Sequence, residues 1–222
     1  MAKVARAKLK AEIVETTAEV VPIPTAGEFI SYEADTRPAA RMRVFIEGKT
    51  ALLTHNPQSM TTVQDAMKGG RVPNPEDEAE AGCYRLADGS LALKGEAFRG
   101  SLLGAAGAWR MKKATAKSRL AHMVVVEELL PLLRPDGTPV TSYVIDRRRA
   151  IVQGQGIIRS RPRFELPWCA QPTFEYDQVL VQDPELIVRI LTDAGNRIGV
   201  GDYRPAKNGW FGRYVVRGYQ LL

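Results

Sequence analysis

Met42-Arg-Val-Phe-Ile-Glu47 alternates Met, Val and Ile with Arg, Phe and Glu, and Gly48 closes it. A period of two with one apolar set marks a strand that buries a single face, so this stretch predicts the first strand of a sheet. Further along the period changes. Phe98, Leu102, Ala105 or Ala106, and Trp109 recur every three to four residues and predict a helix over 94–117. The Val- and Leu-rich stretch 121–130 reads as a buried strand. A further strand is expected in 164–176, where Pro167 and Pro172 call for bulges or an edge position. Asp183-Pro-Glu185 supplies an N-cap, a proline at the first helical position and an acid in the first turn. It opens a helix through Leu186, Ile187, Ile190 and Leu191 that stops near Gly195. The glycine-rich stretch 199–212 follows, then a last strand over 213–219.

Strand, helix, strand, strand, helix, strand is the βαββαβ order of a ferredoxin-like α+β fold. Three additions surround it. Residues 1–40, interrupted by Pro22, Pro24 and Pro38, read as an extended N-terminal arm with one strand at 12–21. Within the core of 41–222, residues 57–82 hold Gly69-Gly70, Pro73, Pro75 and the acidic run Glu76-Asp-Glu-Ala-Glu80, the composition of a mobile surface insertion. Residues 131–163 form a basic, thumb-like excursion with a hairpin turn at Asp136-Gly137.

The chain has 222 residues, 45 % of them apolar, enough for a buried core. Lys and Arg exceed Asp and Glu by 31 to 25, which favours a polyanionic partner. Cys83 and Cys169, with only His55 and His122 beside them, supply neither a disulfide framework nor a thiolate metal centre. No metal or cofactor is expected. No apolar run approaches a signal peptide or a membrane span, so a reducing cytoplasm is the expected home.

The basic residues cluster. Arg147, Arg148, Arg149, Arg159, Arg161 and Arg163 occupy 147–163 with no acid among them, and guanidinium forks match phosphate geometry. Arg110, Lys113 and Lys117 stand at i, i+3 and i+7, hence on one face of the expected helix. The loop 199–212 adds Tyr203, Arg204, Lys207, Trp210 and Phe211, with Arg213 just beyond it. Its glycines leave backbone amides for phosphates, and its rings suit stacking on unpaired bases. A tight loop whose Trp and Phe are core is the plainer alternative. Gly199-x-Gly201 is no dinucleotide fingerprint, because no helix follows it.

Three motifs taken together resemble a known family: Arg43-Val-Phe-Ile-Glu-Gly-Lys-Thr-Ala-Leu-Leu-Thr-His-Asn-Pro57, Arg159-Ser-Arg-Pro-Arg-Phe164, and Asp193-Ala-Gly-Asn-Arg-Ile-Gly-Val-Gly-Asp-Tyr-Arg-Pro205 with Gly209-Trp-Phe-Gly-Arg-Tyr-Val-Val216. They look like bacteriophage and prophage proteins of the RAMP type, similar to the backbone subunits of CRISPR effector complexes. The resemblance implies a modified RNA-recognition-motif core with an inserted thumb hairpin, stacking into a filament along single-stranded RNA. It also implies that Lys94 and Arg99, at the start of the first core helix, face the nucleic acid. Within the motifs His55, Asn56 and Arg197 join the expected contacts.

The expected function is therefore non-catalytic binding of single-stranded nucleic acid, RNA first, by a protein that associates with itself. Single-stranded DNA in phage replication or recombination is one alternative. Another is a metal-independent ribonuclease acting through His55, and a third is an adaptor whose basic patches meet an acidic protein. No catalytic triad or phosphate-binding Walker loop appears in the sequence.

Overall fold

In a computed structural model, the structure describes residues 39–68, 74–111, 114–152 and 155–222. The arm expected over 1–40 lies outside these residues except for its last two. In chain order come β1 (Ala39–Gly48), β2 (Leu52–Leu53), α1 (Gln58–Lys68), α2 (Pro75–Ala81), β3 (Tyr84–Arg85) and β4 (Leu91–Lys94). Then follow α3 (Gly95–Ala106), β5 (Arg110–Met111), β6 (Ala114–Thr115), α4 (Ala116–Leu120), β7 (Val124–Val125) and β8 (Leu129–Pro131). The chain continues through β9 (Val144–Val152), β10 (Gln155–Phe164), β11 (Cys169–Ala170), β12 (Thr173–Asp177), α5 (Glu185–Arg197) and β13 (Tyr214–Leu221).

The central sheet has β1 between β13 on one side and β12 with β11 on the other, and β7 completes it beyond β12. Every pairing is antiparallel. With α3 between β1 and β7, and α5 between β12 and β13, this is the βαββαβ ferredoxin-like core of an α+β fold. The alternation in β1 holds: Met42, Val44 and Ile46 are buried while Arg41, Arg43, Phe45 and Glu47 line the other face. Beneath them Phe98, Leu102 and Ala105 of α3 and Ile187, Ile190 and Leu191 of α5 fill the core. Gly195 lets α5 close onto β13, since a Cβ there would lie 2.2 Å from the Tyr214 carbonyl oxygen.

Four expectations change. The insertion 57–82 contains two helices, not a mobile loop. Asn74 caps α2 by accepting the Glu76 N–H, Pro75 occupies the first turn, and Glu78 and Ala79 are buried. Glu76, Asp77 and Glu78 of the acidic run thus form the first turn of a helix, where carboxylates oppose the positive end of the dipole. The helix expected over 94–117 ends at Ala106, with Gly107 as its C-cap. The chain then turns into the β5–β6 hairpin, closed where Ala116 N–H donates to the Trp109 carbonyl. The strand expected over 121–130 is divided into β7 and β8, which serve different sheets. Finally, Pro167 and Pro172 fall in the breaks that separate β10, β11 and β12.

The excursion contains the Asp136-Gly137 turn, where Thr138 N–H and Oγ1 both donate to Asp136 Oδ1. Its main feature is the long β9–β10 hairpin, whose register runs from Arg163 opposite Val144 to Gln155 opposite Val152. Among the described residues no helix is long and apolar enough to cross a membrane.

Candidate nucleic-acid interface

A cleft of about 510 Å³ opens between the start of α3, the glycine-rich loop and the segment after β2. Lys94, Arg99, Arg204 and His55 line it, with Glu96, Asp202 and Tyr84 beside them. The cations are positioned in different ways. Arg99 donates through Nε to the Met123 carbonyl and through Nη2 to the Ala121 carbonyl, each at 2.6 Å. Arg204 Nη1 donates to the Gly201 carbonyl at 2.8 Å. Both guanidiniums are therefore fixed by main-chain carbonyls, and neither forms an ion pair with a carboxylate among the described residues. Lys94 lies over the Tyr84 ring, 5.7 Å from its centroid, and pairs loosely with Glu96 at 3.4 Å. Asp202 is occupied by Arg161 at 2.9 Å.

His55 is half-buried on the cleft wall, with Nδ1 3.2 Å from Ser59 Oγ. Burial, and after it the positive charge of Arg159, hold its pKa below the ordinary histidine value. Asn56 serves the local backbone, since its Nδ2 donates to the Cys83 carbonyl and its Oδ1 accepts the Gln58 N–H at the start of α1. His122 sits at the sheet edge, where Nε2 accepts the Asp177 N–H.

The arginine run is not an uncompensated surface. Arg159 is buried against Glu78, whose other carboxylate oxygen accepts the Ser160 N–H at 3.0 Å. Asp146 takes Arg148 at 2.7 Å and Arg163 at 3.3 Å, and Arg163 also meets Glu165. Asp146 and Glu165 flank 147–163 in sequence, whereas Glu78 and Asp202 are remote in sequence and are brought to Arg159 and Arg161 by the fold. Arg147 and Arg149 are exposed and make no ion pair among the described residues. They share one face of the β9–β10 hairpin with the 66 % exposed Ile158, which lies on β10 opposite Arg149. On the other face Arg148 lies 4.8 Å from the Phe211 ring centroid and 5.4 Å from that of Trp210, docking the hairpin onto the glycine-rich loop.

That loop behaves in part as its plainer alternative has it. Phe211 is buried, whereas Trp210 is 59 % and Tyr203 36 % exposed. Gly201 has φ +74°, and a Cβ there would lie 2.4 Å from the Leu53 carbonyl oxygen, so glycine permits the loop to press on β2. Loop amides are used internally: Val200 N–H donates to Gly212, Asp202 N–H to Leu53 and Gly212 N–H to Ala51. They are not a row of donors left for phosphates.

Arg110 is exposed on β5 and Lys117 lies on α4, so they do not share a helix face; Lys113 lies outside the described residues. Arg197 pairs with Asp193, which also accepts Trp109 Nε1–H. Lys207 is exposed on the short 3₁₀ turn Pro205–Lys207. Arg213 is half-buried before β13. Sequence reasoning missed Tyr84, which the fold carries beneath Lys94, and Lys49, whose place just after the Gly48 strand end was its only signal. No cluster of three or more His, Cys, Asp or Glu suited to a metal occurs among the described residues.

No family model matches the chain, and no curated protein matches it. Among solved structures it is similar to a chain of the type III-B Cmr-beta complex bound to cognate target RNA, at 9 % identity and a TM-score of 0.45. The match covers 83 % of this chain and 61 % of that one, so the chain spans less than two thirds of its solved neighbour.

Proposed function

We propose that the protein binds single-stranded nucleic acid, RNA ahead of DNA, along the cleft between α3 and the glycine-rich loop. The observation that carries this reading is the pair Arg99 and Arg204, held in the cleft by carbonyl oxygens with their charge available to phosphates. Exposed Trp210 and Tyr203 beside Arg204 offer rings to unpaired bases. Arg147 and Arg149 on the outer hairpin face add further phosphate contacts. The resemblance of the ordered motifs to RAMP-type proteins favours RNA, and it favours copies assembling side by side along the strand in the cytoplasm. Binding is non-catalytic in this reading.

Fluorescence anisotropy with labelled single-stranded RNA, single-stranded DNA and a duplex tests it. Both single strands bind and the duplex binds less tightly, while Arg204→Ala weakens binding by roughly ten- to a hundredfold, the size of one charged contact. Equal affinity for duplex and single strand, or an Arg204→Ala variant that binds as well as the parent, contradicts it. One observation favours a second reading. His55 lines the cleft with a lowered pKa, which leaves its imidazole neutral near pH 7 and able to accept a proton. Metal-independent RNA cleavage abolished by His55→Ala, with binding retained, would replace the non-catalytic reading by a ribonuclease.

A further inference from the structure

Outside the cleft a second group of cations converges. Lys49 follows the end of β1, Arg213 precedes β13, and Asn196 lies in the last turn of α5. Lys49 Nζ donates to Asn196 Oδ1 at 3.1 Å, and Arg213 Nη2 donates to the same oxygen at 3.4 Å. The main chain fixes the pair as well, since Lys49 N–H donates to the Arg213 carbonyl at 2.8 Å. Two positive charges thus meet on one neutral amide oxygen. No carboxylate among the described residues forms an ion pair with either. Arg213 Nε is buried and has no acceptor among the described residues.

Part of this has a structural explanation. The carbonyl end of α5 contributes roughly half a negative charge and attracts cations. That leaves more than one positive charge uncompensated, held at the surface by exposed Lys49 and Asn196. Thr50 ties the cluster to the aromatic part of the loop. Its Oγ1 accepts the Arg213 N–H at 3.0 Å and donates to the Trp210 carbonyl at 2.9 Å. A guanidinium fork beside an ammonium matches a phosphate, and the hydrogen bond from Thr50 to the Trp210 main chain ties the cluster to a residue whose exposed ring suits an unpaired base.

We propose that Lys49, Arg213 and Asn196 form a phosphate-binding site separate from the cleft, which holds a phosphodiester of a bound single strand where it passes Trp210. The identity of the phosphate as part of a strand rests on the function proposed above; the affinity of the site for a phosphate group does not.

Asn196→Asp is the decisive variant, because it is nearly isosteric and supplies the missing carboxylate where the two cations meet. Lys49→Ala removes an exposed cation. Each variant is titrated with a single-stranded RNA of about 20 nucleotides at several salt concentrations, and loss of one phosphate contact lowers the slope of log K against log salt by about 0.7. Affinity at low salt falls about fivefold in both variants, while the melting temperature of Asn196→Asp changes little, because the new pairs with Lys49 and Arg213 offset the lost Asn196 Nδ2 hydrogen bond to the Thr192 carbonyl and the repulsion from the end of α5. Parental affinity and slope in Asn196→Asp overturn the proposal, because a purely structural cluster would tolerate the carboxylate. If the parent binds no strand, the proposed function falls, and inorganic phosphate becomes the probe in a thermal shift. A phosphate-dependent rise in melting temperature that both variants lose then supports the site with free phosphate as its ligand, and no rise overturns it.

Discussion

Glu78 of α2 and Arg159 of β10, 81 residues apart, form an ion pair with side chains only 3 % and 6 % exposed. The same carboxylate takes the Ser160 N–H, so one side chain neutralises a buried guanidinium and covers an open edge of β10. It fastens the helical insert to the hairpin. Removing one member leaves the other charged and dry, so Glu78→Ala should cost about 3 to 5 kcal/mol in urea unfolding. Arg189→Ala, which breaks the half-exposed pair with Asp183 and leaves the Asp183 Oδ1 cap of the Glu185 N–H in place, should cost less than about 1 kcal/mol. Similar losses for both variants would mean that the buried pair is not a fastening.

Trp210 and Phe211 are neighbours with opposite roles. Phe211→Ala empties a core site and should destabilise the fold by about 3 to 5 kcal/mol. Trp210→Ala should leave stability nearly unchanged and weaken single-strand binding by about 1 to 3 kcal/mol. Binding should also quench tryptophan fluorescence more strongly in the parent than in Trp210→Phe, since Trp168 is fully buried and Trp109 is partly buried with its Nε1–H held by Asp193. Undiminished quenching in Trp210→Phe would place the stacked ring elsewhere.

The pH response of the fold should report His55. Burial and Arg159 lower its pKa in the folded state, so the unfolded chain takes up a proton that the folded chain resists. The resulting stability is complete above the ordinary value of 6.5 and is lost as pH falls through the depressed folded-state value. Melting temperatures followed downward from pH 7 should decline in the parent, and His55→Gln should flatten that decline. Parallel curves for parent and variant would assign the acid sensitivity to other groups.

Those elements whose cues are local could be read from the sequence. The alternation around Met42 and the Asp136-Gly137 turn need only their own residues and stand where expected, and α5 starts one residue later than read, at Glu185, with Asp183 Oδ1 accepting the Glu185 N–H. The helical insert could not be read so, because the burial of Glu78 depends on Arg159 and the strand order that brings them together. The same remoteness made the arginine run look uncompensated. Asp202 meets Arg161 only after the glycine-rich loop folds back, and Asp146 pairs with Arg163 across the hairpin. The spacing of Arg110, Lys113 and Lys117 suggested a helical face, but the helix ends before Arg110, where Gly107 caps it and a hairpin begins. Adjacent aromatics such as Trp210 and Phe211 carry no local signal of which one points inward.

The most direct test of nucleic-acid binding is purification without nuclease, with the 260/280 absorbance ratio followed on gel filtration at low and high salt. Binding predicts a high ratio in a large, heterogeneous peak at low salt, which falls when salt is raised or when ribonuclease is added. A single small species with the absorbance ratio of protein alone, which still takes up neither single-stranded RNA nor DNA when offered them, would contradict it and favour an acidic protein as the partner of the basic surface.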